Sequence, residues 1–273
     1  GHPEMPDRGI VEAYCYDGSF DGLLCCVFEA IAKKERPADI FSFDREQMSL
    51  CPPRQIETDP EKAGRVLRSI PKKISEEALS WVKEGFLSCH PRKESLILEF
   101  LRKGYKAGAS VTKMLQDETV SELFKAVQFV GNETHLLKGF IRFSDRNGVL
   151  TAVIDPKNVV LPLLARHFAE RLPREAFLIY DRTHGMALVH RPGDYRIIPA
   201  EDIEFPAESP EEAEYQALWR QFYKTIAIEG RYNPRCRMSH CPKRYWQNMT
   251  ELSGRRGDPA IDPPQSSCPA LDS

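Results

Sequence analysis

The chain has 273 residues, 41% hydrophobic and 10% aromatic, which supplies a core and excludes a disordered chain. Its formal net charge is −2 with a pI near 6.4, so it is no polycation, and any attraction to nucleic acid has to come from a local patch. No apolar run approaches the roughly 20 residues that cross a bilayer, and neither an export signal nor regular cysteine spacing is evident. The expectation is therefore a cytoplasmic protein with reduced thiols, away from membranes.

In chain order, VEAYCY (residues 11–16) predicts a first strand and Asp17-Gly18 a turn. Phe20, Leu23, Leu24, Val27, Phe28 and Ile31 then recur at helical spacing as far as Lys34, with Pro37 closing the helix. Pro52-Pro53 marks a loop before a helical middle running from 59 to about 130, where ISEEALSWVKEGFL and KESLILEFLRKGYKAG are both amphipathic.

From Lys138 the period changes. KGFIRF and VLTAVID flank SDRNG, and Asn147-Gly148 between strand-like runs predicts a hairpin. VVLPLLARHFAERL predicts a helix with Pro162 in its first turn, and AFLIYD, MALVHR and YRIIP predict three further strands. SPEEAEYQALWRQFYKTIAIE opens with Ser209 as N-cap, Pro210 at the first helical position and Glu212 in the capping-box place.

The predicted class is α+β: an antiparallel sheet of about five strands, helices packed on it, and a helical middle segment. Residues 11–252 make one domain, with a helical subdomain at 59–134, a sheet subdomain at 135–205 and a basic C-terminal helix and segment at 209–252. Residues 253–273, rich in Pro, Ser, Gly and Asp, predict a disordered tail.

The segment NPRCRMSHCPKRYW (residues 233–246) concentrates the chemistry. A metal reading has Cys236, His240 and Cys241 but no CxxC and no second ligand pair, so no metal and no cofactor are expected. A nucleic-acid reading has more. Between Trp219 and Trp246 stand Arg220, Lys224, Arg231, Arg235, Arg237, Lys243 and Arg244 against Glu229 alone, a local formal charge of +6. Gln216, Arg220 and Lys224 share one helix face, while Leu218, Phe222 and Ile226 point to the other. Tyr223, Tyr232, Tyr245 and Trp246 alternate with the charges. Cations neutralise phosphates and exposed rings stack on unpaired bases. The competing reading buries the rings and leaves the charges solvated.

Elsewhere, YDGSFDG places Asp17, Ser19 and Asp21 at a strand-to-helix turn. This is a ligand loop or, more simply, turn chemistry with an N-cap. His167 and Arg171 are one helical turn apart beside Arg166 and could meet a phosphate together. Asp181 and His184 could pair in the loop YDRTHG. No Ser/His/Asp order, HExxH or GxSxG is present.

Three stretches carry a resemblance: YDGSFDGLLCCVFEA, HLLKGFIRF…GVLTAVIDPKNVVLPLLARHFAERLPREAFLIYDRTHGMAL, and RYNPRCRMSHCPKRYW. Over about residues 11–252 the chain resembles bacterial proteins of DNA metabolism or repair that are encoded beside a radical-SAM protein. In that family the domain also occurs fused to uracil-DNA-glycosylase-like domains. The resemblance implies a role in DNA modification or repair with a radical-SAM partner. In the last motif Asn233, Pro234, Arg235, Pro242, Lys243, Arg244, Tyr245 and Trp246 match the family pattern, whereas Cys236, His240 and Cys241 fall where that family has no metal ligands. The chain lacks the glycosylase motifs and the CxxxCxxC triplet of a radical-SAM cluster, so those chemistries would belong elsewhere.

The sequence thus predicts a nucleic-acid-binding accessory protein, for DNA in the first instance. Arg220, Lys224, Arg231, Asn233, Arg235, Lys243, Arg244, Tyr245 and Trp246, with Arg166 and Arg171, are its contact residues. Two alternatives stay open. One is an enzyme on nucleic acid or nucleotides using Asp17, Asp21, His167 or Asp181 for proton transfer. The other is a scaffold whose basic face meets an acidic protein.

Overall fold

The structure, a computed structural model, describes residues 10, 11, 13–43, 53–146 and 148–199. The predicted helix and basic segment at 209–252 and the tail beyond lie outside the described residues. The described chain divides into two compact units, with the boundary between Asn132 and Glu133.

The first unit opens with strands β1 (Ile10–Val11) and β2 (Tyr14–Tyr16), then helix α1 (Phe20–Ala32) and strands β3 (Arg36–Pro37), β4 (Ile40–Ser42) and β5 (Arg54–Gln55). β2 is the centre of a three-stranded parallel sheet between β4 and β5, and β1 pairs with β3. Tyr14, Cys15 and Tyr16 are all buried, as in a parallel strand covered on both faces. The strand predicted over 11–16 takes in Val11 of β1 and the whole of β2, whereas β3, β4 and β5 were not foreseen; two or three residues are too few to show a period.

The β2–α1 turn is closed by its own side chains. Ser19, the N-cap, accepts from the Gly22 amide at 2.9 Å. Asp17 Oδ1 accepts from the Ser19 amide at 2.9 Å and from its hydroxyl, while Oδ2 accepts from Thr58 Oγ1 at 2.7 Å. A Cβ on Gly22 would collide with Asp17 Oδ1 and stand 3.0 Å from Ser19 Oγ, so glycine is required there.

Helices α2 (Pro60–Lys73), α3 (Glu76–Leu87) and α4 (Lys93–Ala107) follow, then a 3-10 turn and α5 (Glu118–Phe140). Asp59 and Ser75 cap α2 and α3. Their core gathers Phe20, Phe86, Trp81, Phe100 and Phe124, with Trp81 ring centroids 5.6 Å from Phe100 and 5.2 Å from Phe124. Tyr16 reaches Glu94 of α4 at 2.8 Å, and Tyr14, Glu35 and Arg54 bind one another across β2, the end of α1 and β5.

The second unit begins within α5. After it come β6 (Ser144–Arg146), β7 (Val149–Ile154), α6 (Leu161–Arg171), β8 (Ala176–Asp181), β9 (Met186–Arg191) and β10 (Asp194–Pro199), forming one sheet in the order β10-β9-β8-β7-β6. The predicted hairpin is present, with Gly148 at φ 83°, but its first strand is Ser144–Arg146; Lys138–Phe140, expected in a strand, are the last turn of α5.

The expectation of a purely antiparallel sheet is corrected: β7 and β8 are parallel, Val149 facing Ala176 and Ile154 facing Asp181. A strand followed by a helical crossover returns in the same direction, whereas only short turns reverse it, as between β8, β9 and β10. The class is mixed α and β. No helix among the described residues is long and apolar enough to cross a membrane.

Two glycine substitutions should move stability in opposite directions. Gly22→Ala should cost about 1–3 kcal/mol by overpacking the Asp17 turn. Gly131→Ala, on an exposed stretch of α5 with nothing within 4 Å of the added carbon, should gain about 0.5–1 kcal/mol. Urea midpoints followed by circular dichroism read both; a neutral Gly22→Ala would contradict the packing described.

Candidate anion-binding site on the crossover helix

α6 crosses the sheet over β9 and β10 with Leu161, Leu164, Ala165 and Phe168 buried. Phe168 meets Phe143 and Phe177 edge-on, at 5.5 and 6.5 Å between ring centroids. The start of α6 is set from α5. Glu133 accepts from the Lys157 amide at 3.0 Å, the Asn158 amide at 2.8 Å and the Asn158 side-chain amide at 3.1 Å.

Its apolar face being spent on the sheet, α6 leaves Arg166 and His167 half-buried at its flanks and Glu170 and Arg171 exposed. His167 stands edge-on to Phe168, with centroids 4.9 Å apart at 86°. Its Nε2 is closed off from solvent and has no hydrogen-bond partner in the protein. Burial, then the positive charges of Lys138 and Arg171, push the imidazole below its ordinary pKa, against a smaller opposing pull from Glu170. Among the described residues neither Lys138 nor Arg171 has an ion-pair partner. Lys138 and Arg171 thus set a local positive field around the His167 imidazole, which favours an anion on the exposed side of α6.

Of the sequence-predicted site residues, the structure brings His167 and Arg171 together. Arg166 is otherwise engaged, its Nε 2.7 Å from Glu170 Oε1. Lys138 was missed: it lies in the stretch read as a strand, and only helical spacing continued through residue 140 would have placed it on α5. Arg220, Lys224, Arg231, Asn233, Arg235, Lys243, Arg244, Tyr245 and Trp246 lie outside the described residues.

The acid–base candidates fall into separate local arrangements. Asp17 is held by Ser19 and Thr58, and Asp21 stands in the first turn of α1. Asp181, fully buried at the end of β8, accepts from the His184 amide at 3.1 Å and meets His184 Nδ1 at 2.6 Å, which closes the β8–β9 turn. Burial raises the thiols of Cys25 and Cys26 above their usual pKa, so neither is a thiolate at neutral pH.

Residues 91–251, more than half of the chain, match a family described as a domain of unknown function, DUF4130. The matched range contains Lys138, His167 and Arg171. No curated protein matches the chain.

The depressed titration of His167 has a defined sign. Between its folded pKa and the ordinary value near 6.5, the unfolded chain binds more protons than the folded one. Stability should therefore be full above about pH 6.5 and fall as pH drops through that window, a decline that burial of His190 adds to. NMR titration should find the His167 midpoint below 6.5 and move it upward in Lys138→Ala and Arg171→Ala. An unmoved midpoint in both variants would dissolve the cluster.

Proposed function

We propose that this chain, a member of the DUF4130 family, is a nucleic-acid-binding accessory protein that acts in DNA modification or repair beside a radical-SAM enzyme. The observation that carries the reading is the run from Trp219 to Trp246. Seven cations face one carboxylate there, and Tyr223, Tyr232, Tyr245 and Trp246 are interleaved with them. Such composition suits a phosphate backbone and unpaired bases together. The Lys138–His167–Arg171 group supports the same reading, since Lys138 and Arg171 make no ion pair among the described residues. DNA as the polymer and the radical-SAM enzyme as the partner rest on the resemblance of the motifs.

In this reading the protein holds the substrate by its backbone while the partner performs the chemistry. Arg235 and Lys243 contact phosphates, and Tyr245 or Trp246 offers a stacking surface. Contacts of this kind fix position and orientation and carry little sequence information.

Polarisation titrations with single- and double-stranded DNA and RNA at several salt concentrations test the proposal. Log affinity should fall linearly with log salt, and Arg235→Ala with Lys243→Ala should flatten the slope by about 1.8 on duplex DNA, roughly 0.9 per phosphate contact. An absence of nucleic-acid retention under all these conditions would overturn it.

A further inference from the structure

The first unit carries a second concentration of positive charge, on α2. Its fourteen residues hold Lys62, Arg65, Arg68, Lys72 and Lys73 against Glu61. Ala63, Val66 and Ile70 are buried and fix the inner face. At about 100° per residue Arg65, Arg68 and Lys72 then fall on the opposite, outward face, and all three are exposed.

Several cations in or beside the other described helices have acids beside them. Lys33 pairs with Glu29, Arg102 with Glu99, Lys103 with Asp117 and Arg166 with Glu170. On α2, Lys62 alone is paired, to Glu29 at 3.3 Å. Arg68 and Lys72 have no carboxylate within the helix one turn away on either side, and among the described residues Arg65, Arg68 and Lys72 make no ion pair.

This arrangement works against the free helix, because like charges three and four residues apart repel. The negative C-terminal end of the helix accounts for Lys72 and Lys73, which sit in the last turn. It does not account for Arg65 and Arg68 in the middle. Arg65 is already placed, with its guanidinium carbon 5.4 Å from the Phe28 ring centroid. Arg68 lies back over Gly64, where any side chain would meet its Nη1 at 3.0 Å.

We infer that the Arg65–Arg68–Lys72 ridge is a contact surface for the phosphate backbone of a nucleic acid. The inference rests on the nucleic-acid reading given above and deepens it: it names a surface outside both the C-terminal segment and the matched family range. Seven residues of helix separate Arg65 from Lys72, about 10 Å, which is the axial run of three to four phosphates on one strand of a duplex. Glu61, at the N-terminal end of the same face, limits the surface on that side.

The test uses the full chain and a fluorescein-labelled DNA duplex of about 20 base pairs, titrated across a salt series. The variant Arg65→Ala/Arg68→Ala/Lys72→Ala should bind at least tenfold more weakly at low salt and flatten the log–log slope by about 2.7, at about 0.9 per contact. Its thermal unfolding midpoint should stay near the parent's, relief of repulsion offsetting the lost Arg65–Phe28 contact and the helix-end charge of Lys72, whereas a purely structural role would lower it clearly. Arg68→Gln alone should flatten the slope by about 0.9, whereas the charge-preserving double change Arg65→Lys/Arg68→Lys should keep the parent's slope. If the parent chain binds DNA and the alanine variant keeps its slope, the ridge is overturned and the proposed function stands. If the parent binds no nucleic acid, that function falls and the ridge with it. Retention of polyglutamate in that case, lost in the variant, would assign the surface to an acidic protein instead.

Discussion

Glu133 fixes the geometry on which the second unit depends. One carboxylate takes both backbone amides of the turn that leaves β7, and the buried side chain of Asn158 as well. Hydrogen bonds to an ionised acceptor are each worth about 1.5–3 kcal/mol, and here they act on the one stretch whose direction decides where α6 starts. From that start follow the position of Phe168 over the sheet, the parallel pairing of β7 with β8, and the placing of His167 and Arg171 beside Lys138. The carboxylate and Lys138 belong to the same helix, so one element both orients α6 and supplies a charge to its outer side.

Most described charges are used internally. Glu35 is held below its ordinary pKa chiefly by Arg54, Asp117 by Lys103 and Asp155 by Arg182, each a local closure of the fold. Among the described residues Arg65, Arg68, Lys72, Lys138 and Arg171 have no such closure. Surface ion pairs contribute little to stability, so leaving Arg68 or Arg171 unpaired is cheap in the absence of a ligand. Their charge remains fully available to an arriving anion.

The sequence was legible where a local rule governs. Ser19 caps α1, Gly148 turns the β6–β7 hairpin, and the apolar spacing of LPLLARHFAER marks α6. It failed where distant partners decide. The strand-like run GFIRF is divided between the end of α5 and the loop before β6, because a helix already propagating outweighs the weak strand preference of a few residues. The direction of β8 is set by the crossover and has no signature in AFLIYD itself. Two of the three members of the anion cluster were readable, since His167 and Arg171 are neighbours on one helix. Lys138 was not, because only the fold brings α5 to α6.

The sheet of the second unit also has an unequal assembly. β6 with β7, and β8 with β9 and β10, are ribbons joined by tight turns, each of which forms from residues close in the chain. The join between β7 and β8 is different: its partners are separated by all of α6 and both flanking loops. Bringing them together costs loop-closure entropy before a single cross-strand bond repays it. The slow step in forming this sheet is therefore expected at that one seam, midway between two quickly made ribbons.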